Sequence, residues 1–190
     1  MAAEYESLLV RVAEFQRSRH FGKYRGVVAD ISDPDDMLRI KATVPAVYGD
    51  TDSPWAMPAL PFAGPQHGLV LMPEVGDGVW IEFEAGDISR PIWTGCWWGT
   101  DDLDDVSKTR TRALVTTKGH KLVLDDDADE IHLIHSQGAE IKMTGDDITI
   151  SIGGSEIKLT KTDMTLKSGS GQIKLSAAGV DVNNGALKAM

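Results

Sequence analysis

Residues 140–187 consist of three aligned segments with a period of 16 residues: EIKMTGDDITISIGGS (140–155), EIKLTKTDMTLKSGSG (156–171) and QIKLSAAGVDVNNGAL (172–187). The same residue types recur at equivalent positions, and a glycine falls near the end of each segment: Ile141, Ile157 and Ile173; Lys142, Lys158 and Lys174; Gly153, Gly169 and Gly185. A fixed short period of this kind is the signature of a repeat architecture.

Each segment contains two short runs in which apolar and polar residues alternate, as in residues 141–144 and 148–152. Alternation with period two predicts a strand with one apolar and one polar face. Gly, Asp, Asn and Ser separate the runs, where turns require them. The segment therefore predicts strand, turn, strand and turn, repeated.

The apolar stripe of these strands is too thin for one chain to bury. A single-chain solenoid coil uses about 20 or more residues per repeat, and this stripe contains no aromatic residue. Several copies wound about one axis would cover it, and a closed cyclic trimer is the simplest arrangement. A flat two-layer solenoid within one chain is the alternative. We predict an intertwined trimeric β-helix (β-prism) needle whose axis is lined by Ile141, Met143, Ile148, Ile150, Ile157, Leu159, Met164, Leu166, Ile173 and Leu175.

Composition divides the chain near residue 99. All twelve aromatic residues and all eight prolines precede that position. We predict an N-terminal helix at 1–20, a barrel at 21–98, a polar linker at 99–112 and the repetitive needle at 113–190. The net charge of −10 disfavours nonspecific nucleic-acid binding. No apolar run approaches the ~20 residues of a membrane span, and the start of the chain does not resemble a signal peptide.

The N-terminal half predicts one helix and five strands. Apolar residues at Tyr5, Leu8, Leu9, Val12 and Phe15 have helical spacing, and this face could pack on its own domain or on another subunit. Alternating runs predict strands at 21–31, 38–44, 69–72, 79–84 and 91–98, which would close a small antiparallel barrel. Between them, residues 45–66 carry five prolines and predict a long irregular loop.

Few residues suggest a catalytic or metal-binding site. Asp33, Asp35 and Asp36 lack the Gly and Glu of a calcium loop, so we predict a solvated hairpin tip. His132 and His135 would point to opposite faces of a strand; His135 would face the axis, where three copies could meet a metal or an anion, or else be a solvated turn residue. Cys96 is the only cysteine, and we expect it to be a small buried core residue. We predict no catalytic residues, no metal site, no cofactor and no enzyme activity.

Residues 73–99, PEVGDGVWIEFEAGDISRPIWTGCWWG, resemble the OB-fold signature of the central-spike proteins of contractile tails. This family includes phage baseplate assembly protein V, the type VI secretion valine-glycine repeat proteins and the spikes of extracellular contractile injection systems. Residues 24–28 and 39–45 resemble its first two barrel strands, and the repeat resembles its trimeric β-prism. The resemblance implies an all-β subunit, an OB-fold barrel followed by a needle, that pierces a target cell envelope.

The resemblance also implies partner proteins, and it indicates which domains and activities of related spikes are not expected here. No lysozyme domain separates barrel and needle, so muralytic activity is not expected. Only about 20 residues precede the barrel, so we expect a separate baseplate hub protein on the N-terminal side. We expect a PAAR-type tip protein at the C-terminal end, docked by Leu187 and Met190; a prism capped by its own last residues is the alternative. Assembly would occur in the bacterial cytoplasm, within a virion tail or injection particle.

A second class of function is an OB-fold protein that binds nucleic acid or carbohydrate and carries an oligomerising tail. Its candidate stacking residues are the five tryptophans, Trp55, Trp80, Trp93, Trp97 and Trp98. The net charge and the rigid repeat favour the spike.

Overall fold

The computed structural model describes residues 2–100, 102–103 and 110–189. The chain divides into two compact units between Asp102 and Leu103. The four segments predicted from the sequence (1–20, 21–98, 99–112 and 113–190) are finer than this division and remain a proposal. Linker residues 101 and 104–109 and the predicted docking residue Met190 lie outside the described part.

The first unit contains one long helix and a barrel of short strands. Helix α1 (Ala2–Ser18) is followed by β1 (Tyr24–Asp30), β2 (Lys41–Thr43), the short helix α2 (Pro45–Tyr48), β3 (Met57–Pro58), β4 (Ala63–Gly64), β5 (His67–Gly68), β6 (Gly78–Phe83) and β7 (Pro91–Trp97). Five strands form one sheet in the order β2-β1-β6-β7-β3, and β4 pairs with β5 alone.

The five-stranded sheet is closed by a bridge between its two edges. Ile40, next to β2, pairs with Ala56, next to β3, and the backbone N–H of Ala56 donates to Ile40 O at 2.8 Å. The core inside is apolar and includes Ile40, Val79 and Ile81, all fully buried. Along β6, every second residue is buried and the residues between are partly exposed. One face of this strand therefore lines the core, as the period-two pattern predicts.

The fifth strand of the barrel is not the one predicted. Residues 69–72 form no strand, and the edge is formed by β3, within the predicted loop 45–66, which runs parallel to β7. Proline is tolerated at such an edge, where its missing N–H costs no ladder bond. A short apolar run does not by itself distinguish a buried strand from an exposed apolar segment, and Leu69, Val70 and Leu71 are exposed.

Two further predictions about single residues are wrong. Asp33 is not solvated: its side chain is 4% exposed and pairs with Arg39. Hydrogen bonds from Arg39 hold the pKa of Asp33 well below its usual range, while Asp35 and Asp36 are exposed as predicted. Cys96 is exposed rather than buried. The buried residues of β7 are Pro91 and Trp93 at its start, and Cys96 lies beyond them near the end of the strand, where no side chain is buried.

The second unit is a single antiparallel sheet of ten strands, ordered as they occur in the chain. These are β8 (Thr111–Val115), β9 (Lys121–Asp125), β10 (Glu130–Ile134), β11 (Glu140–Thr144), β12 (Asp147–Ile152), β13 (Ser155–Thr160), β14 (Asp163–Ser168), β15 (Gly171–Ser176), β16 (Gly179–Val182) and β17 (Leu187–Ala189). Each strand pairs with the next, so the backbone pairing between neighbouring strands is made within one chain. A trimer of such sheets would be held together by side-chain packing.

The turns of this sheet repeat with the sequence. Gly153 and Gly169 occupy equivalent turns with φ of 55° and 56°. This is the left-handed region that glycine reaches without steric cost. In the next turn on the same side of the sheet, Asn183 and Asn184 adopt positive φ as well. Asn tolerates this conformation better than other residues with a Cβ. Residues that tolerate positive φ therefore recur where the chain reverses on this side of the sheet.

Candidate functional site

Two rows of apolar side chains run across one face of the ten-stranded sheet. Because directly paired residues in antiparallel strands point to the same side, the register places the rows together on one face, named here the apolar face. Row A comprises Leu122, Leu133, Ile141, Ile150, Ile157, Leu166, Ile173 and Val182. Row B comprises Leu124, Ile131, Met143, Ile148, Leu159, Met164, Leu175 and Val180.

All ten residues predicted for the trimer axis fall in these rows. The structure therefore brings them onto one surface, although their place at an axis remains a prediction. Sequence reasoning missed the earlier members on β9 and β10, since residues 121–134 lack the strict 16-residue spacing. It also missed Ile152. This residue follows Ile148 and Ile150 at two-residue intervals, so strict alternation along the strand would have placed it on the same face.

The apolar face has no cover within the described part of the chain. Ile150 is 41% exposed, Ile157 38% and Leu175 46%. No member of either row is buried. Isolated exposed apolar residues are ordinary, but a contiguous apolar surface of this length marks an interaction site.

The opposite face of the sheet is polar and carries ion pairs at the period of the repeat. Lys142 pairs with Glu130, Lys158 with Asp147 and Lys174 with Asp163. The hydrogen bond from Lys158 lowers the pKa of Asp147, and that from Lys174 lowers the pKa of Asp163. The three lysines lie in one row of the register. Charged side chains therefore recur along the polar face, which suits contact with water, whereas the apolar face suits contact with protein.

The first unit exposes apolar side chains on helix α1. Tyr5, Leu8, Val12 and Phe15, spaced at three and four residues, are 46–71% exposed. Phe15 contacts Phe21 at 6.3 Å between ring centroids. Within the described part of the chain, the face predicted from the helical spacing is thus largely exposed.

A second exposed apolar surface lies on the segment 53–73, which contains no charged residue. Phe62, Val70 and Leu71 are each more than half exposed. Depletion of charge together with exposed apolar side chains is typical of the centre of a protein interface. Residues 69–71 were assigned to a strand from the sequence, so only the structure identifies them as surface.

Four of the five tryptophans are engaged within the chain. Trp93 is 4% exposed and donates its indole N–H to Leu38 O at 3.1 Å. Trp80 and Trp97 both contact the Arg25 guanidinium, at 5.5 and 5.2 Å. Trp55 contacts the Lys41 ammonium at 4.9 Å. Trp98 is 73% exposed, so the tryptophans do not form a row of free stacking surfaces.

The two histidines considered as a metal pair have separate surroundings. His132 Nε2 lies 2.8 Å from a Glu140 carboxylate oxygen, and hydrogen bonds from His132 and Ser151 lower the pKa of Glu140. His135 instead packs against His120 with the two rings tilted, and their centroids are 4.4 Å apart. Among the described residues, no three His, Cys, Asp or Glu side chains are grouped so that they could hold a metal ion.

A closed barrel and a sheet with an uncovered apolar face are typical of a β-structured subunit of a larger protein assembly. Residues 24–98 match the family model described as type VI secretion system/phage-baseplate injector OB domain. Residues 112–188 match the phage baseplate V C-terminal trimerisation domain. The two matches cover most of the chain in the expected order, and the chain belongs to the baseplate V family of spike proteins.

These matches confirm the OB-fold barrel and the assignment to the tail-spike family. The trimerisation domain supports a homotrimer, and the family supports a structural role in a baseplate or tail. No curated protein matches the sequence. No helix in the described residues is long and apolar enough to cross a membrane.

Proposed function

We propose that three copies of this chain form the needle of a spike, which sits under the hub of a contractile baseplate and pierces the envelope of a target cell. The observation that carries this proposal is the apolar face, two residues wide and uncovered over most of the ten-stranded sheet. Each side chain that passes from half exposed to buried contributes on the order of 1 kcal/mol. Sixteen such positions per chain make association strongly favourable.

The number of copies follows from the trimerisation domain rather than from the sheet alone. Two sheets stacked face to face would also cover the apolar face. Light scattering on the intact chain separates the two arrangements: we expect three times the chain mass of 20.6 kDa. A mass of one or two chains would exclude the proposed needle.

The spike role is favoured over nucleic-acid or carbohydrate binding by the contacts of the tryptophans. Stacking on bases requires free ring faces beside a basic groove, whereas Trp80 and Trp97 already contact the chain's own Arg25. The net charge of −10 also repels a phosphate backbone. We further propose that the protein assembles in the bacterial cytoplasm, as part of a phage tail, a type VI apparatus or an extracellular injection particle, and acts mechanically without catalysis.

The hub is proposed to bind the first unit through helix α1 and the uncharged segment 53–73. Deleting residues 1–18 is expected to abolish co-purification with the hub while the needle stays folded, because the exposed apolar face of α1 would be lost. Co-expression with the hub protein encoded nearby, followed by affinity capture, measures this.

A matched pair of variants tests the hub contact without a deletion. Leu8→Asp with Val12→Asp places charges on the apolar face of α1 and should reduce hub capture at least tenfold, an effect of about 1.4 kcal/mol. Val10→Asp adds a charge on the opposite side of the same helix, at a position that is also exposed, and should leave capture unchanged. Undiminished capture by both the deletion and the double variant would show that the hub binds elsewhere.

The free edge of β17 is proposed as the docking face for a small tip protein of the PAAR type. It is the last described strand, and an uncovered strand edge offers unpaired backbone groups to another chain. Leu187, 66% exposed, would supply the apolar contact, together with Met190. Removing residues 183–190 should abolish retention of a co-expressed tip protein. Equal retention by the full and shortened chains would indicate that no tip docks there, as expected if the last residues cap the prism.

A further inference from the structure

The outer side of the barrel sheet carries an arginine that contacts two tryptophan rings. Arg25 on β1 is directly paired with Trp80 on β6, so the two side chains point to the same side of the sheet. The guanidinium carbon of Arg25 lies 5.5 Å from the centroid of the Trp80 ring and 5.2 Å from that of Trp97. These three residues are named here the Arg25 site, and Arg25 itself is exposed.

The position of the Trp97 ring is set by the neighbouring strand. Its indole N–H donates to Val79 O at 3.2 Å. Gly78 is paired with Trp97, and a Cβ at Gly78 would lie 2.7 Å from atoms of the Trp97 ring. Glycine in a strand marks a place where another group approaches closely, and here that group is the indole. One wall of the Arg25 site is therefore fixed by the sheet itself.

Arg25 differs from the other arginines of the fully described range 19–98 because it has no carboxylate partner there. The other three form ion pairs: Arg19 with Asp87, Arg39 with Asp33 and Arg90 with Glu84. Arg39 also contacts an aromatic ring, with its guanidinium carbon 5.8 Å from the Trp55 centroid, and its Nε donates to Asp33 Oδ1 at 3.0 Å. Arg39 thus combines contact to tryptophan with a bound carboxylate, whereas Arg25 has only the contact to tryptophan.

We propose that Arg25 binds a carboxylate of another protein, an Asp or Glu side chain that reaches the outer side of the barrel. The N–H donors of a guanidinium lie in its plane and form a fork that matches the two oxygens of a carboxylate. Within the described part of the chain, the contacts of the Arg25 side chain are those with the two rings, which leave the N–H donors available. Because the rings already hold the guanidinium, little conformational freedom is lost on binding.

The surroundings of Arg25 favour a protein partner over a nucleic acid or a lipid surface. Phosphate-rich partners engage several cations at once, whereas Lys23, two residues earlier, is already paired with Glu82 at 2.9 Å. Val27 is 41% exposed and adds an apolar contact. Tryptophan and arginine are enriched among the residues that dominate binding at protein interfaces. The site therefore suits an acidic side chain flanked by apolar residues. It uses none of the residues proposed for the hub contact and does not depend on the proposed trimer.

A titration of the full-length protein with a pair of short peptides tests this proposal. The first peptide, acetyl-Ala-Leu-Glu-Leu-Ala-amide, carries one carboxylate between two leucines, and the second has glutamine in place of glutamate. With isotope-labelled tryptophan, binding is followed by NMR through the indole N–H signal of Trp97, which is assigned with Trp97→Phe. We expect the glutamate peptide to shift this signal and the glutamine peptide to bind at least about tenfold more weakly.

Substitutions at Arg25 show whether the guanidinium itself is the binding group. Arg25→Gln should weaken binding of the glutamate peptide at least about tenfold. Arg25→Lys keeps the charge but loses the planar fork, so it should restore little of the binding. Lys23→Gln removes a cation that is already paired and should change the dissociation constant by less than about twofold. Circular dichroism of each variant checks that the barrel remains folded.

Three results would overturn the proposal. Equal binding of the two peptides would show that the rings hold Arg25 only for packing. Inorganic phosphate that shifts the Trp97 signal as strongly as the glutamate peptide, at equal concentration, would show a general anion site. A lower native mass of Arg25→Gln in light scattering would assign the bound carboxylate to a second copy of the chain. A native protein with the mass of one chain would reject the proposed needle but would leave the peptide titration valid.

Discussion

Replacing Ile157 with Asp is expected to dissociate the protein into single chains. Ile157 lies in the middle of row A and pairs with Ile150 and Leu166 on the neighbouring strands. In the proposed trimer, the substitution buries three carboxylates close to one axis with no basic partner. The cost of burying an unpaired charge is on the order of 3–5 kcal/mol per chain, so the trimer should fail to form at micromolar concentration.

The control for this variant is Thr165→Asp on the polar face. Thr165 pairs with Lys158 and Lys174 in the register of the sheet, so a carboxylate there lies between two ammonium groups. Its effect on association should be within about 0.5 kcal/mol, as for most surface substitutions. Light scattering on both variants gives the result. A trimeric mass for Ile157→Asp would show that row A does not line the interface.

Removing residues 113–190 is expected to leave a barrel that no longer forms tight trimers. The first unit has its own closed core around Ile40, Val79 and Ile81, so the fragment should fold. The intact chain should keep a trimeric needle under heat and detergent that unfold the barrel. Separation of one sheet would expose the apolar rows of all three, and such concerted unfolding is slow.

Two measurements decide this prediction. Light scattering on the fragment 1–112 should give the mass of one chain at concentrations at which the full protein has the mass of three. Limited proteolysis of the intact protein in detergent should leave a resistant product containing residues 113–190. A fragment 1–112 that remains a stable trimer would assign the association to the barrel.

The barrel shows which strands an alternating sequence pattern predicts and which it does not. The strands at Tyr24–Asp30, Gly78–Phe83 and Pro91–Trp97 follow from alternation, because each has one face in the core. The fifth strand does not, because Met57–Pro58 is too short to show any period. Its position depends on the backbone bridge between Ile40 and Ala56, which joins residues distant in the sequence. Likewise, the burial of Asp33 depends on the position of Arg39, which composition alone does not reveal.

For the needle, the sequence by itself determined the strands, the turns and the single apolar face. A 16-residue period with alternating residues defines which side chains share a face, and that information is local. Only the tertiary structure decided that each strand pairs with its neighbours in the same chain, since alternation specifies the face of a strand but not its partner. Only the structure also placed the acidic turns at 126–129 and 145–146 along one margin of the sheet and the glycine turns at 153–154 and 169–170 along the other, because each margin of a meander is formed by every second turn. Once the strand order is fixed, chemistry scattered along the sequence becomes continuous along one edge.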